Sequence, residues 1–181
     1  MQIVFIRVIW NGSAGEFRMP GARWFDLHIG PEPGYPFGRK GLALDGAWRQ
    51  LRNRQCAGML ILDGDVVIDP ADYAAMLEAV HGEPSAVHVA PVRLWPASTM
   101  RESWVWGHWC GAGPSQELCL APSRWSFGFT YLPRRLLYAA HRAGLQKWAF
   151  PGVDLRMSQT ARNTGIPARV VQECQPKHLH Y

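Results

Sequence analysis

Leu60-Ile61-Leu62-Asp63-Gly64-Asp65 is the stretch on which the fold turns. The apolar run Met59–Leu62 reads as a short buried strand. Two carboxylates two residues apart stand at its end. In extended chain such residues project to one side, so Asp63 and Asp65 are expected to face one point. The carboxyl end of a strand is where open α/β sheets place ligands. Gly64 removes the side chain between the acids and allows close approach. Two hard oxygen donors beside a diphosphate suit Mg²⁺ or Mn²⁺. Asp-Gly is also a common turn dipeptide, so a plain turn is the competing reading.

Working outward, the hydrophobic period changes on both sides. Upstream, Leu44, Ala47, Trp48 and Leu51 fall at i, i+3, i+4 and i+7, which predicts a helix across Leu42–Arg54 with Arg49, Arg52 and Arg54 off the buried stripe. Gly58 closes it. Downstream, Val66-Val67-Ile68 leads to Asp69-Pro70, an N-cap and first-turn pair. Tyr73, Met76, Leu77 and Val80 form the next helical stripe, and Ala86–Val92 a strand. Ile3–Ile9 reads as a first strand, Trp24–Ile29 as a second, and Gly30–Gly38 as loop. Strands alternating with helices predict an α/β fold, a mainly parallel sheet with helices on both faces. Trp95–Trp125 breaks the pattern, with five of the nine Trp, and reads as an excursion or distorted hairpin. Beyond it come a strand at Ser126–Leu132, a helix from Pro133 to near Gly144, a helix from Val153 or Asp154 to Gly165, and a strand at Ala168–Gln172.

A chain of 181 residues, 48% apolar and 18% charged, is expected to be one folded domain. No apolar run is long enough to span a membrane, and Met1–Trp10 lacks the pattern of a signal peptide. The expected location is cytoplasmic, in the host if the chain is viral. Nineteen basic residues against fourteen acidic give +5, and all the basic ones but Lys40, Lys147 and Lys177 are Arg. That balance favours phosphorylated substrates or nucleic acid without choosing between them. It also fits a genome rich in Arg codons. The four Cys form no CxxC pair, so reduced thiols are the default. A zinc site from His108, Cys110, Cys119, Cys174 and His178 is the alternative, at spacings that match no common module.

Asp63-Gly64-Asp65 after an apolar strand, followed by Asp69-Pro70 and a helix, resembles the Asp-X-Asp region of GT-A glycosyltransferases. Ser126–Arg135 is similar to the strand and helix start after their acceptor region. Val153-Asp154-Leu155 resembles their late acidic motif, with one acid where two often stand. The match covers roughly residues 40–181 as ordered landmarks. The resemblance implies a single Rossmann-like, GT-A-like domain, with a nucleotide-sugar and metal half (1–92) and an acceptor half (93–181). It implies Mn²⁺ or Mg²⁺ on Asp65 and Asp63, closed by His178 or His180. The donor would be a nucleotide-diphosphate sugar, UDP-sugar favoured. Asn11 and Asp26 would lie by its base, Asp63 by its ribose, and Arg39 and Lys40 by its phosphates. Arg39 and Lys40 read equally as a solvated basic pair.

Asp154 would be the general base that takes a proton from the acceptor hydroxyl. It reads equally as a helix cap. Trp104, Trp106 and Trp109, joined by Trp125 and Trp148, would stack on the acceptor or plug the core. The acceptor is open. Small bacteriophage-type enzymes of this kind glycosylate a hydroxylated DNA base, and a carbohydrate, protein or small molecule fits as well. A nucleotidyltransferase acting on a sugar phosphate is the second enzymatic reading. It would use Asn11-Gly12-Ser13-Ala14-Gly15 as its phosphate loop. A non-catalytic nucleic-acid-binding module is the third.

Overall fold

The computed structural model describes residues 3–10, 24–29, 40–53, 56–64, 66–91, 93–94, 105–106, 108–109, 120–148 and 152–178, with backbone alone at 7–10, 24–29, 93–94, 105–106, 108–109 and 178. The chain runs β1 (Ile3–Trp10), β2 (Trp24–Ile29), α1 (Lys40–Leu51), β3 (Gly58–Asp63), β4 (Val66–Val67), α2 (Pro70–Gly82) and β5 (Val87–Val89). Short strands β6 (Arg93–Leu94), β7 (Val105–Trp106), β8 (His108–Trp109) and β9 (Arg124–Trp125) follow. Then come β10 (Phe129–Pro133), α3 (Arg134–Arg142), α4 (Gly152–Asn163), β11 (Ala168–Val170) and β12 (Lys177–His178).

Six strands form the main sheet in the order β2-β1-β3-β10-β5-β11. β1 pairs in parallel with β2 and β3, and β5 with β11. β10 enters between β3 and β5 and runs against both. The expected mainly parallel sheet is therefore mixed. Strand–helix alternation cannot foresee this, because β10 arrives from the long segment after β5 and not through a helical crossover.

Side chains alternate across the sheet, as the two-residue repeat of a strand requires. Val4, Ile6, Met59 and Ile61 meet α1, α3 and α4 on one face. Phe5, Leu60, Leu62, Phe129 and Tyr131 meet Met76 and Val80 of α2 on the other. Both sheet faces are thus apolar and covered, which explains the unbroken apolar run at Met59–Leu62.

The α2 boundary is built as its sequence predicts. Asp69 Oδ1 accepts from the Ala71 and Asp72 amides, and Asp72 Oδ2 accepts from the Asp69 amide. Such a reciprocal cap stabilises a helix by about 1 kcal/mol. Asp72 is itself buried, and its other oxygen accepts from the Gln175 amide at 2.6 Å. That bond ties the C-terminal segment to α2, and β12 then pairs antiparallel with β4, His178 opposite Val66.

Pro133 ends β10 opposite Gly58 and is at once the N-cap residue of α3, which opens where the sequence places it. At Gly58 a Cβ would strike the Leu132 carbonyl, so the absent side chain is what lets the strands close there. The strand expected at Ser126–Leu132 starts only at Phe129, after a turn with Gly128 at φ 57° that joins β9 to β10. The Trp-rich excursion contributes two small ladders among the described residues, β6 with β7 and β8 with β9.

Candidate functional site

The last residue of β3, Asp63, continues the Met59–Ile61 side of the strand and so lies on the α1 face. α1 begins at Lys40, whose Nζ donates to Asp63 Oδ1 at 2.9 Å. α4 lies on the same face and carries Asp154 in its first turn. Asp154 Oδ1 stands 4.0 Å from the same Lys40 nitrogen. Two carboxylates 91 positions apart thus converge on one ammonium at the carboxyl edge of the parallel strands.

The turn between β9 and β10 holds both acids. Phe127 N–H donates to Asp154 Oδ2 and Gly128 N–H to Asp63 Oδ2, each at 3.1 Å. The Asp63 amide in turn donates to the Gly128 carbonyl at 2.7 Å. The positive φ of Gly128, a conformation costly for other residues, lets consecutive amides reach separate carboxylates. The Phe127 ring lies 4.6 Å from the Lys40 ammonium, close enough for a cation–π contact. Ser158 anchors α4 to β9: its Oγ accepts from the Trp125 amide at 3.1 Å.

Asp154 is electrostatically the most exceptional of these groups. Its Oδ1 is buried without a hydrogen-bond partner. Burial raises its pKa above the ordinary 3.8, and the Asp63 charge adds to the rise. Lys40 and the Phe127 amide oppose it without cancelling it. A carboxylate with one unsatisfied oxygen, beside a second carboxylate and a cation, is suited to accept a proton or a hard metal ion. The donor chemistry fits Mg²⁺ or Mn²⁺. Among the described residues, no cluster of three or more His, Cys, Asp or Glu is poised for a metal, so two carboxylates are what the described side chains supply.

The remaining candidates separate clearly. β3 ends at Asp63 and the chain turns at Gly64, as the turn reading of Asp-Gly expects. The expected alignment of Asp63 with Asp65 lies outside the described residues. Asp65, Asn11, Arg39, Trp104 and His180 lie outside the described residues, as do Cys110 and Cys119. Asp26, Trp106, Trp109 and His178 are described in backbone only. Asp26 pairs with Arg7 in the β1–β2 ladder, and the β12–β4 pairing sets His178 opposite Val66, three positions after Asp63.

Lys40 is not a solvated cation: it is 8% exposed. Trp125 and Trp148 are buried in the α1–α3–α4 core and offer no stacking surface. Cys174 does not suit zinc. It is fully buried, its thiol donates to the Asp72 carbonyl, and burial pushes its pKa up to about 12. Phe127, Gly128 and Ser158 were legible only as parts of a strand and a helix. A Gly flanked by aromatics inside an apparent strand was the available signal for a bulged turn.

No family model and no curated protein sequence matches the chain. Solved structures do. The crystal structure of A197 from STIV superposes with a TM-score of 0.61 at 18% identity, over 98% of this chain and 85% of that one. CMP:2-keto-3-deoxy-manno-octonic acid synthetase complexed with CTP gives 0.50 at 11% identity, over 94% and 89%. UTP-bound UGPase from Acinetobacter baumannii gives 0.47 at 14% identity, over 88% of this chain and 56% of that one. The likeness to the first two establishes the fold: a single α/β domain of the Rossmann or GT-A-like type, with a mixed sheet and flanking helices.

Proposed function

We propose that the chain is a divalent-cation-dependent transferase acting at the phosphates of a nucleotide, and that it transfers a nucleotidyl group to a sugar substrate. The observation that carries this is the convergence of Asp63 and Asp154 on one cationic centre at the carboxyl edge of the sheet. The fold shared with a CTP-complexed synthetase over most of that enzyme favours nucleotidyl transfer. In this reading the acceptor oxygen attacks the α-phosphorus, the bond to pyrophosphate breaks, and Asp63 and Asp154 hold the cation, joined by Asp65 and His178 or His180. A divalent ion there supplies Lewis-acid charge that offsets the charge gathering on the leaving group. Lys40 adds a fixed positive charge next to the phosphates. The Phe127–Gly128 turn keeps both carboxylates oriented, so that little reorganisation accompanies binding.

One observation favours a second reading, the glycosyltransferase. Asp154, with a buried unpartnered oxygen and a raised pKa, suits the general base of an acceptor hydroxyl. The bond broken is then that of the sugar's anomeric carbon to the diphosphate. UDP-sugar would be the donor, bounded by Asn11, Asp26 and Arg39, and Trp104, Trp106 and Trp109 would face the acceptor. A DNA base serving as acceptor would leave its stack to reach the site.

Thermal shift separates the two. Triphosphates (CTP, UTP) and diphosphates (UDP, GDP, CDP) are each offered with and without Mn²⁺. A ligand at a hundred times its Kd stabilises by about 2.7 kcal/mol, some 5–11 °C for a chain of this size. A Mn²⁺-dependent shift with triphosphates supports nucleotidyl transfer, and one with diphosphates the glycosyl alternative. Asp63→Asn abolishes either shift. No shift with any nucleotide, or a shift that survives Asp63→Asn, overturns the site.

A further inference from the structure

A cleft lies at the other end of β3 from Asp63. It has a volume of 680 Å³ and runs between the C-terminal end of α1 and the outer face of α3. That volume is within the range of ligand-binding clefts, about 300–1,000 Å³. Its walls include Trp48, Arg52, Arg134, Arg135, Tyr138 and His141. α3 starts where Pro133 pairs with Gly58, the first residue of β3, whereas Asp63 is the last. Five residues of strand put the two sites roughly 17 Å apart. The cleft is therefore separate from the carboxylate pair.

Its chemistry is one-sided. Among the described residues, three Arg and a His line it, and no acid does. Asp45, the carboxylate that contacts His141, is 1% exposed and already engaged by Arg49 at 2.7 Å and His141 Nδ1 at 2.5 Å. Arg134 is held in place: it donates to the Arg52 carbonyl at 2.6 Å and stands over the Trp48 ring. Arg135 is anchored on the Thr164 carbonyl at 3.2 Å. Tyr138 presents its ring to solvent, 54% exposed, with the Arg142 guanidinium 5.9 Å from its centroid. Pre-oriented guanidinium groups recognise phosphate oxygens, and an exposed ring flanked by cations is a platform for a base.

We propose that this cleft binds single-stranded nucleic acid. Phosphates would lie along Arg52, Arg134 and Arg135, and one base would stack on Tyr138. A concave cleft bounded by two helices admits a single strand more readily than a duplex. A polycarboxylate would satisfy the guanidinium groups but leave the exposed aromatic ring without a planar partner. The proposal is independent of the chemistry at Asp63 and Asp154.

The test is fluorescence anisotropy with a labelled short single-stranded oligonucleotide and the full chain, titrated at several salt concentrations without nucleotide or metal. The wild type binds, and log K falls linearly with log salt. Arg52→Ala with Arg135→Ala flattens the slope by about 1.4, roughly 0.7 for each phosphate contact on a single strand. Tyr138→Ala weakens binding about 5- to 160-fold and leaves the slope unchanged. All three positions are exposed, and unchanged thermal melts verify that the variants fold. Absence of binding overturns the proposal. So does binding that these variants leave intact, displacement by polyglutamate at equal charge, or displacement by inorganic phosphate at comparable phosphate concentration.

Discussion

Asp154→Asn is expected to make the metal-free protein more stable while removing its activity. Asp154 Oδ1 is 4.0 Å from the Lys40 ammonium, an attraction of about 4 kcal/mol at an effective dielectric of about 20. Asp63 contacts the same ammonium at 2.9 Å, so the two carboxylate oxygens lie within about 7 Å of each other. Their repulsion, about 2 kcal/mol on the same scale, cancels roughly half of that attraction. The Asp154 side chain is 22% exposed, and solvent screens both effects further. Burying an ion costs several kcal/mol. Burial therefore outweighs the partners, in agreement with the raised pKa.

Asn keeps the acceptor for the Phe127 amide and sheds the charge. The expected gain is about 1 kcal/mol, a rise in Tm of about 2–4 °C at neutral pH. The sign with pH follows from linkage. A carboxyl whose folded pKa lies above its ordinary 3.8 favours the fold while protonated. That contribution is complete below 3.8 and is lost as pH rises through the folded value. The Tm difference between variant and wild type should thus be near zero below pH 3.8 and grow above it. Thermal melts across pH in a chelating buffer measure it. A lower Tm for the variant at neutral pH, or a difference independent of pH, would refute the balance drawn here.

Two further outcomes are expected. Gly41→Ala places a Cβ against the Leu145 and Trp148 carbonyls, backbone atoms that cannot swing aside; it should cost about 1–3 kcal/mol and, by shifting the start of α1, also weaken the Lys40–Asp63 contact, read as a lower Tm and a smaller Mn²⁺–nucleotide shift. His88 bonds the Glu83 carbonyl through Nε2 while its Nδ1 is buried unpartnered, and burial holds its pKa below 6.5. The neutral ring supports the fold fully above pH 6.5, and that support fades as pH falls through the lowered folded value, so denaturant melts of His88→Gln should show a shallower acid decline than wild type.

Much of the architecture could be read directly from local pattern. The period of 3.6 at Leu44–Leu51 and the Asp69-Pro70 cap placed α1 and α2 within a few residues. The apolar run at Met59–Leu62 located the central strand because both faces of the sheet are covered. Local pattern was misleading where a strand is interrupted. Ser126–Leu132 has a strand's composition, yet its first residues form a turn whose amides serve Asp154 and Asp63. The sequence left Lys40 open between a phosphate contact and a solvated charge, because it shows only neighbours along the chain, and the partners of Lys40 are 23 and 114 positions away.

The order of residues alone settled α1, α2, α4 and the central strand, that the sheet is covered on both sides, and that Asp63 ends a strand. These depend on periodicity and capping, interactions among residues within a few positions of each other. Only the folded chain decided that β10 enters antiparallel beside β3 and that Asp154 and Lys40 meet Asp63. Those contacts form between residues far apart in sequence, and their geometry depends on how helices pack across a sheet whose strand order no local pattern encodes.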